Sequence, residues 1–318
     1  MKSSNGFGNA LRKICEKSSQ GRIMSEIKKV NINQKSIELS NLNKIFYPDK
    51  KYSKEDIIEY YTKIADYIVP HLKGYPLVMQ RFPDGINKEG FYQKEIPEYF
   101  PAWVKSKKVN LEKNGYQKLV VVEKKADLVY LANQGTLVFH IWLSSQDNIT
   151  HPDKIIFDLD PPENNDFDLV KFAAQQLRKI VEKKDLNTLV MTTGSKGLHV
   201  IIPIHPKYHF DKIREFARKT VEELSDQYPE KLTTEMRKEQ RKGRVFLDYL
   251  RNAFGQTGVA PYSLRAIKGA PIATPLDWSE LSSLGEAQKY NLSNIFHRLS
   301  HKEDPWKNIY EKAKDLKL

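Results

Sequence analysis

The stretch at residues 154–162, KIIFDLDPP, sets two carboxylates two positions apart on one short apolar segment. Ile155, Ile156 and Phe157 lead into Asp158-Leu159-Asp160, and two prolines stop the element, a pattern that predicts a buried strand. Side chains on a strand alternate faces, so Asp158 and Asp160 point the same way. Two carboxylates on one face repel each other and are costly to bury unpaired. A hard divalent cation removes that cost, because Mg²⁺ takes one or two carboxylates together with substrate phosphates. The alternative is a solvated strand end closed by a Pro-Pro turn.

Residues 244–252, RVFLDYLRN, repeat the pattern with a single acid, Asp248, and Arg251 three residues on. An acid inside VFLDYL needs a partner if it faces a core. If the two strands are neighbours, Asp158, Asp160 and Asp248 form the three-carboxylate composition of a two-metal phosphoryl-transfer site. An ion pair of Asp248 with Arg251 is the competing reading.

Charge points to the partner. With 52 Lys and Arg against 40 Asp and Glu, the chain carries a net +12, which favours a polyanion. The sequence has no long apolar span, so nucleic acid is favoured over membrane, and no apolar leader, so the expected location is cytoplasmic, at the nucleoid. The single Cys15 excludes an internal disulfide and a cysteine zinc site.

Along the chain, residues 1–37 lack sustained periodicity apart from a short helical piece at 10–15. Ser53 and Asp56 form a capping box, and apolar spacing predicts one helix over residues 54–69. Lys44 and Lys54 stand at its approach, where a helix N-terminus with lysines can hold an anion. Phe91-Tyr92 sits among polar and basic residues, so one ring of an extended pair faces out, suited to base stacking or packed on the domain. His140 lies in the strand-like TLVFHIW. Helices are predicted at 168–183, 210–227 and 306–316. Between two predicted strands, Thr193-Gly194-Ser195-Lys196-Gly197-Leu198-His199 offers hydroxyls, a point charge and an imidazole on a glycine turn. It lacks the Walker spacing, and a plain glycine hairpin is the alternative. Arg265 lies in the proline-punctuated APYSLRA.

The ordered set FDLDPP, TTGSKGLHV, FLDYLRN and APYSLRA resembles the polymerase domain of bacterial and archaeal DNA ligase D, of the archaeo-eukaryotic primase superfamily. NKIFYP, SKEDIIEYY, RFPDG, FYQK and GAPIATPLDWSEL resemble it too, so the likeness covers residues 38–310. It implies an α+β fold of two mainly antiparallel β-sheets flanked by helices around a central cleft. It implies template-directed addition of nucleotides, NTP before dNTP, to primer 3′ ends at breaks or gaps during non-homologous end joining, with two divalent ions, Mn²⁺ or Mg²⁺. Motif by motif, Asp158, Asp160 and Asp248 match the catalytic, metal-binding triad. Thr193, Lys196 and His199, with Ser195 among them, match the triphosphate loop, and Thr193 stands where many members have Ser. Arg265 matches a further triphosphate contact, and Arg251 and His140 match other active-site positions. Lys44 and Lys54 match the pair that holds a 5′-phosphate at a break, and Phe91 and Tyr92 match the aromatic pair against the template, the second commonly Phe. Residues 1–37 have no counterpart and are expected to be a flexible extension before a domain at 38–318. With no ligase or phosphoesterase domain in the sequence, the expected partners beyond DNA are a separate ligase and Ku-type end-binding proteins. A primase that starts chains de novo shares the triad; a non-catalytic end-binding module and a metal-dependent nuclease are the other rivals.

Overall fold

The computed structural model describes residues 27–110 and 115–318. The short helix expected at 10–15 lies outside them. Two sheets carry the fold. The larger runs, in spatial order, Leu232–Thr233, Val245–Asp248, Lys154–Asp160, Leu198–Pro203, Leu189–Thr192 and Pro275–Leu276; each pairing is antiparallel except the first. The smaller runs Thr257–Val259, Thr136–Trp142, Leu77–Arg81 and Phe91–Gln93, antiparallel throughout.

Strand alternation divides the larger sheet between two cores. Ile155, Phe157 and Leu159 pack with Val190, Val200 and Ile202 against Val170, Ala173 and Leu177 of helix Phe167–Lys183 and Ile213, Ala217 and Val221 of helix Phe210–Gln227. Ile156, Ile201 and Met191 join the core around the smaller sheet instead. The face that carries Asp158 and Asp160 is therefore the face turned from the helices. The sheets approach at Gly258, where a Cβ would meet Ile156 Cδ1 at 2.7 Å and His199 Cε1 at 3.9 Å. Among the described residues no helix is long and apolar enough to cross a membrane.

Three expectations are corrected. The boundary at residue 38 cuts through a hairpin, Lys28–Ile32 with Lys35–Leu39, so the ordered body begins before it. Asn33 and Gln34 both take positive φ, the backbone of a two-residue hairpin turn. The hairpin is tied down by buried Ile37 and Leu39 and by Asn133, whose side-chain amide donates to Glu38 O. The predicted 54–69 helix is two, Lys54–Lys63 and Ala65–Leu72. Ile64 joins them with φ −81° and ψ −3°, still right-handed backbone, and loses no bonds: its N–H reaches Tyr60 O and its carbonyl accepts from Tyr67 and Ile68. The capping box at its start forms as expected. Residues 306–316 hold only the single-turn 3₁₀ segment Ile309–Lys312, because Asn308 turns into left-handed backbone just before it; the helix of this region is Ile295–His301.

Candidate active site between the two sheets

Register brings the acids together. Asp158 is the direct partner of Asp248 on one neighbouring strand and of His199 on the other, and Asp160 lies two residues on. Direct partners share a face with Cα atoms about 5 Å apart. His199 Nε2 lies 3.5 Å from Asp158 Oδ1. Arg251 reaches in from the end of its strand, Nη2 at 3.4 Å from Asp158 Oδ2 and Nε at 3.9 Å from Asp248 Oδ2. Asp248 Oδ1 accepts the Leu250 N–H at 2.7 Å.

The surroundings shift the three carboxyls in different directions. Burial would raise Asp158, but the His199 ring, Arg251 and Arg265 outweigh it and hold the group below its ordinary value. Burial, and then the Asp158 charge, push Asp160 up to about 6. Burial also raises Asp248, with Asp158 adding to it against the Leu250 N–H. Such a row of acids is under electrostatic strain that a cation would relieve.

The donor set fits a hard divalent ion. It consists of carboxylate oxygens on one face, open toward the smaller sheet, and Mg²⁺-type ions fill their remaining positions from water and substrate. Among the described residues no three His, Cys, Asp or Glu side chains are drawn into a closed ligand shell. Arg251 stands in for positive charge instead. Its side chain is 42% exposed and its Asp248 contact is long, so it can swing aside where a buried bidentate pair could not.

Beside the acids lies a cationic wall. The 193–197 turn is built on Thr193, whose Oγ1 donates to Gly197 O at 3.1 Å and accepts the N–H groups of Ser195 and Gly197. That hydroxyl thus braces the loop, with no proton left for a phosphate. A Cβ on Gly197 would lie 2.0 Å from Leu159 O, so only glycine lets the turn lie against the acid strand. Lys196 projects into solvent and Ser195 is half-buried. Arg265 donates from Nη1 to Thr193 O at 3.0 Å, locking wall to loop. His140 stands across the cleft with its buried Nε2 unpartnered among the described residues. Burial, then Arg265, Arg251 and His199, lower His140 to about 3, so its ring is neutral at working pH.

The outlying residues form two further clusters. Lys54 is buried, donates from Nζ to Ser40 O, and has no carboxylate within ion-pair distance among the described residues. Burial, with Lys44 adding, lowers it to about 8. Lys44 bonds exposed Asp84 at 2.7 Å, and its carbonyl accepts the Lys54 N–H. Phe91 and Tyr92 are both exposed. They point to opposite faces of the edge strand; Tyr92 packs against His140 at 5.9 Å between ring centroids, on the cleft side.

Sequence reasoning missed Asn252. Its buried amide accepts from Ile156 N at 2.9 Å and donates to Ile156 O at 2.7 Å and Tyr249 O at 2.8 Å. A side chain thus completes the ladder where the Asp248 strand has ended, and it pins the 248–251 turn to the acid strand. Tyr60 and Tyr61 of the first helix, with Tyr47 on the strand Ile45–Tyr47, do similar work for Arg265. Tyr60 OH donates to Tyr262 O, Tyr61 OH accepts from Leu264 N, and Tyr47 OH donates to Arg265 O. The apolar-looking helix spacing gave no sign of these hydroxyl contacts.

The two-sheet cleft with its acid row belongs to the class of primase-polymerase domains. The family model described as "LigD, primase-polymerase domain" matches residues 53–306, and the chain belongs to that family. It is 30% identical over 283 residues to the bifunctional non-homologous end joining protein LigD of Bacillus subtilis, covering 89% of this chain and 45% of that protein. It is 30% identical over 270 residues to the multifunctional LigD of Mycolicibacterium smegmatis, covering 84% and 35%. The chain thus spans less than half the length of these curated relatives. The solved polymerase domain of Mycobacterium tuberculosis ligase D, in complex with DNA, matches with a TM-score of 0.81 at 26% identity, over 87% of this chain and 99% of that one. The family is metal-dependent, and the expected two-sheet α+β fold is the one found.

Proposed function

We propose that this chain is a template-directed nucleotidyltransferase that extends primer 3′ ends at DNA breaks or gaps during non-homologous end joining. The observation that supports it best is the convergence of Asp158, Asp160 and Asp248 on one face, directly beside the cationic 193–199 loop. The family and the DNA-bound structural relative support the same reading.

Asp158 and Asp160, with Asp248 completing one of two sites, would hold the ions. Bound there, Mg²⁺ or Mn²⁺ would supply positive charge for the triphosphate and a lowered pKa for the primer 3′-hydroxyl. The chain's own groups do the rest. Lys196 and Arg265 set positive charge where negative charge develops on the triphosphate, and the His199 ring stands beside them. Thr193 and Gly197 fix the loop that carries Lys196, a positioning role. Neutral His140 offers Nε2 to a polar group of the nucleotide without adding charge. With ions held there, half-exposed Arg251 would be free to turn from the carboxylates toward phosphate. Lys54, with no acidic partner among the described residues, and Lys44 receive the 5′-phosphate on the downstream strand. Tyr92 stacks on the template at the cleft mouth. A ligase and a Ku-type protein would act at the same end.

The test is primer extension on a gapped duplex, with and without a downstream 5′-phosphate, in Mn²⁺ and in Mg²⁺, with NTP and with dNTP. Wild-type protein should lengthen the primer, fastest on the phosphorylated gap. Asp158→Ala should bind the duplex equally well and add nothing. Extension retained by Asp158→Ala refutes the assignment. Growth on unprimed template instead would make the protein a de novo primase.

A further inference from the structure

The edge strand of the smaller sheet has a second aromatic surface, on the side turned away from Tyr92. Arg81 and Phe91 are register partners, so both project from that side. Arg81 is buried and its guanidinium is held at Nε and Nη1. Nε donates to Gln134 O at 3.0 Å, and Nη1 donates to Gln93 Oε1 at 3.3 Å and to Tyr99 OH at 2.9 Å. It also lies 5.4 Å from the Phe91 ring centroid. Tyr99, at the far end of this arrangement, is 62% exposed and stands edge-on against Phe100.

A tyrosine normally turns its hydroxyl to water and its ring to the protein. Tyr99 does the reverse. Its hydroxyl is tethered inward to a buried cation, and its ring is held out in solvent. A ring fixed before binding loses little freedom when something stacks on it. Phe91 and Tyr92 are 45% and 60% exposed, so three open rings surround the outer strand of this sheet.

We propose that Tyr99 adds to the Phe91–Tyr92 pair a further base-stacking subsite, for unpaired template nucleotides that leave the cleft past that pair and cross the sheet edge. This rests on the polymerase reading above. Continuity with Tyr92 favours nucleic acid as the occupant, and the exposed rings are sequence-tolerant stacking faces. The charges nearby show how binding would work. Glu95 and Glu98 are exposed on the Tyr99 segment and offset Lys88 and Lys94, so the subsite gains little from phosphate attraction. Its contribution comes from stacking and resists salt, unlike backbone contacts, which weaken as salt rises.

The experiment measures, by fluorescence anisotropy, the affinity for primer–templates with one or with four unpaired template nucleotides, at low and at raised salt. Wild-type protein should bind the longer overhang more tightly. Tyr99→Ala should lose about tenfold on the longer overhang, nothing on the shorter one, and the same factor at both salts. Tyr99→Phe, which keeps the ring and loses the tether, should fall between the two. The site is on the surface, and circular dichroism checks that each variant is folded. If Tyr99→Ala equals wild type on the longer overhang, or loses equally on both, the subsite is refuted and the patch is left to a protein contact. Failure of wild-type protein to bind either DNA would instead strike the polymerase reading itself.

Discussion

The two sheets hold their functional residues in opposite ways. On the larger sheet, Asp158, Asp248 and His199 sit in fixed cross-strand register, Asp158 and His199 buried and Asp248 half-buried, with Asn252 clamping the turn that follows Asp248. On the smaller sheet's edge, Phe91, Tyr92 and Tyr99 stand in solvent on a three-residue strand and the segment beyond it. Chemistry on a phosphorus atom tolerates little displacement, so its groups are set where the backbone ladder fixes them. Holding bases of any sequence needs only exposed ring faces. Substitutions should therefore be nearly all-or-none on the first surface and graded on the second.

The largest effect is expected at the acids. Asp248→Asn should lower extension about a thousandfold or more, since one isosteric change removes charge from a shared ion site. Asp160→Asn should abolish extension as well, yet raise the melting temperature in metal-free buffer, because it relieves repulsion from Asp158 and Asp248. Calorimetry showing a lowered melting temperature would mean that the row is not strained.

Asn252→Leu is next. It strands the buried N–H and C=O of Ile156, at a cost of about 3 kcal/mol in urea unfolding. Activity per folded molecule should fall too, because the Asp248–Arg251 turn is released. If the folded fraction keeps full activity, Asn252 serves stability alone.

Lys54 lies between the two regimes, a buried group that meets DNA. Its cation is disfavoured in the free protein. The cost to stability is full below about pH 8 and declines as pH rises toward the unfolded value of 10.5. Phosphate binding needs that cation. The preference for a 5′-phosphorylated over a 5′-hydroxyl gap should hold at pH 7 and fade as pH rises through 8 and above, and Lys54→Met should show none at any pH. A flat pH profile in the wild type would place the phosphate elsewhere.

The smallest effects belong to the aromatic edge. Tyr92→Phe should change DNA affinity by less than about twofold, and Tyr92→Ala should weaken it about tenfold, read by the same anisotropy assay.

The contrast also explains what could be read from the chain. Strand period alone put Asp158 and Asp160 on one face, and the single acid in VFLDYL marked Asp248 as its companion; cross-strand register then made all three neighbours. Asn252 escaped because replacing a missing strand residue with a side-chain amide is a tertiary event with no local period. Thr193 was legible as a loop residue, but its hydroxyl is consumed by the loop's own backbone. The hairpin at 28–39 does alternate, with Val30, Ile32, Ile37 and Leu39 on its packed side, but its lysines and Asn-Gln turn resembled a polar tail. The break at Ile64 left no mark, since every apolar residue on both sides kept helical spacing.

The most direct measurement is Mn²⁺ binding followed by the electron paramagnetic resonance signal of free ion, in the presence of gapped, 5′-phosphorylated DNA and a non-hydrolysable NTP. Wild-type protein should deplete the free-ion signal by two ions per chain, Asp248→Asn by fewer, and Asp158→Ala by almost none. Undiminished Mn²⁺ uptake by a folded, DNA-bound Asp158→Ala protein would contradict a shared carboxylate site on the larger sheet.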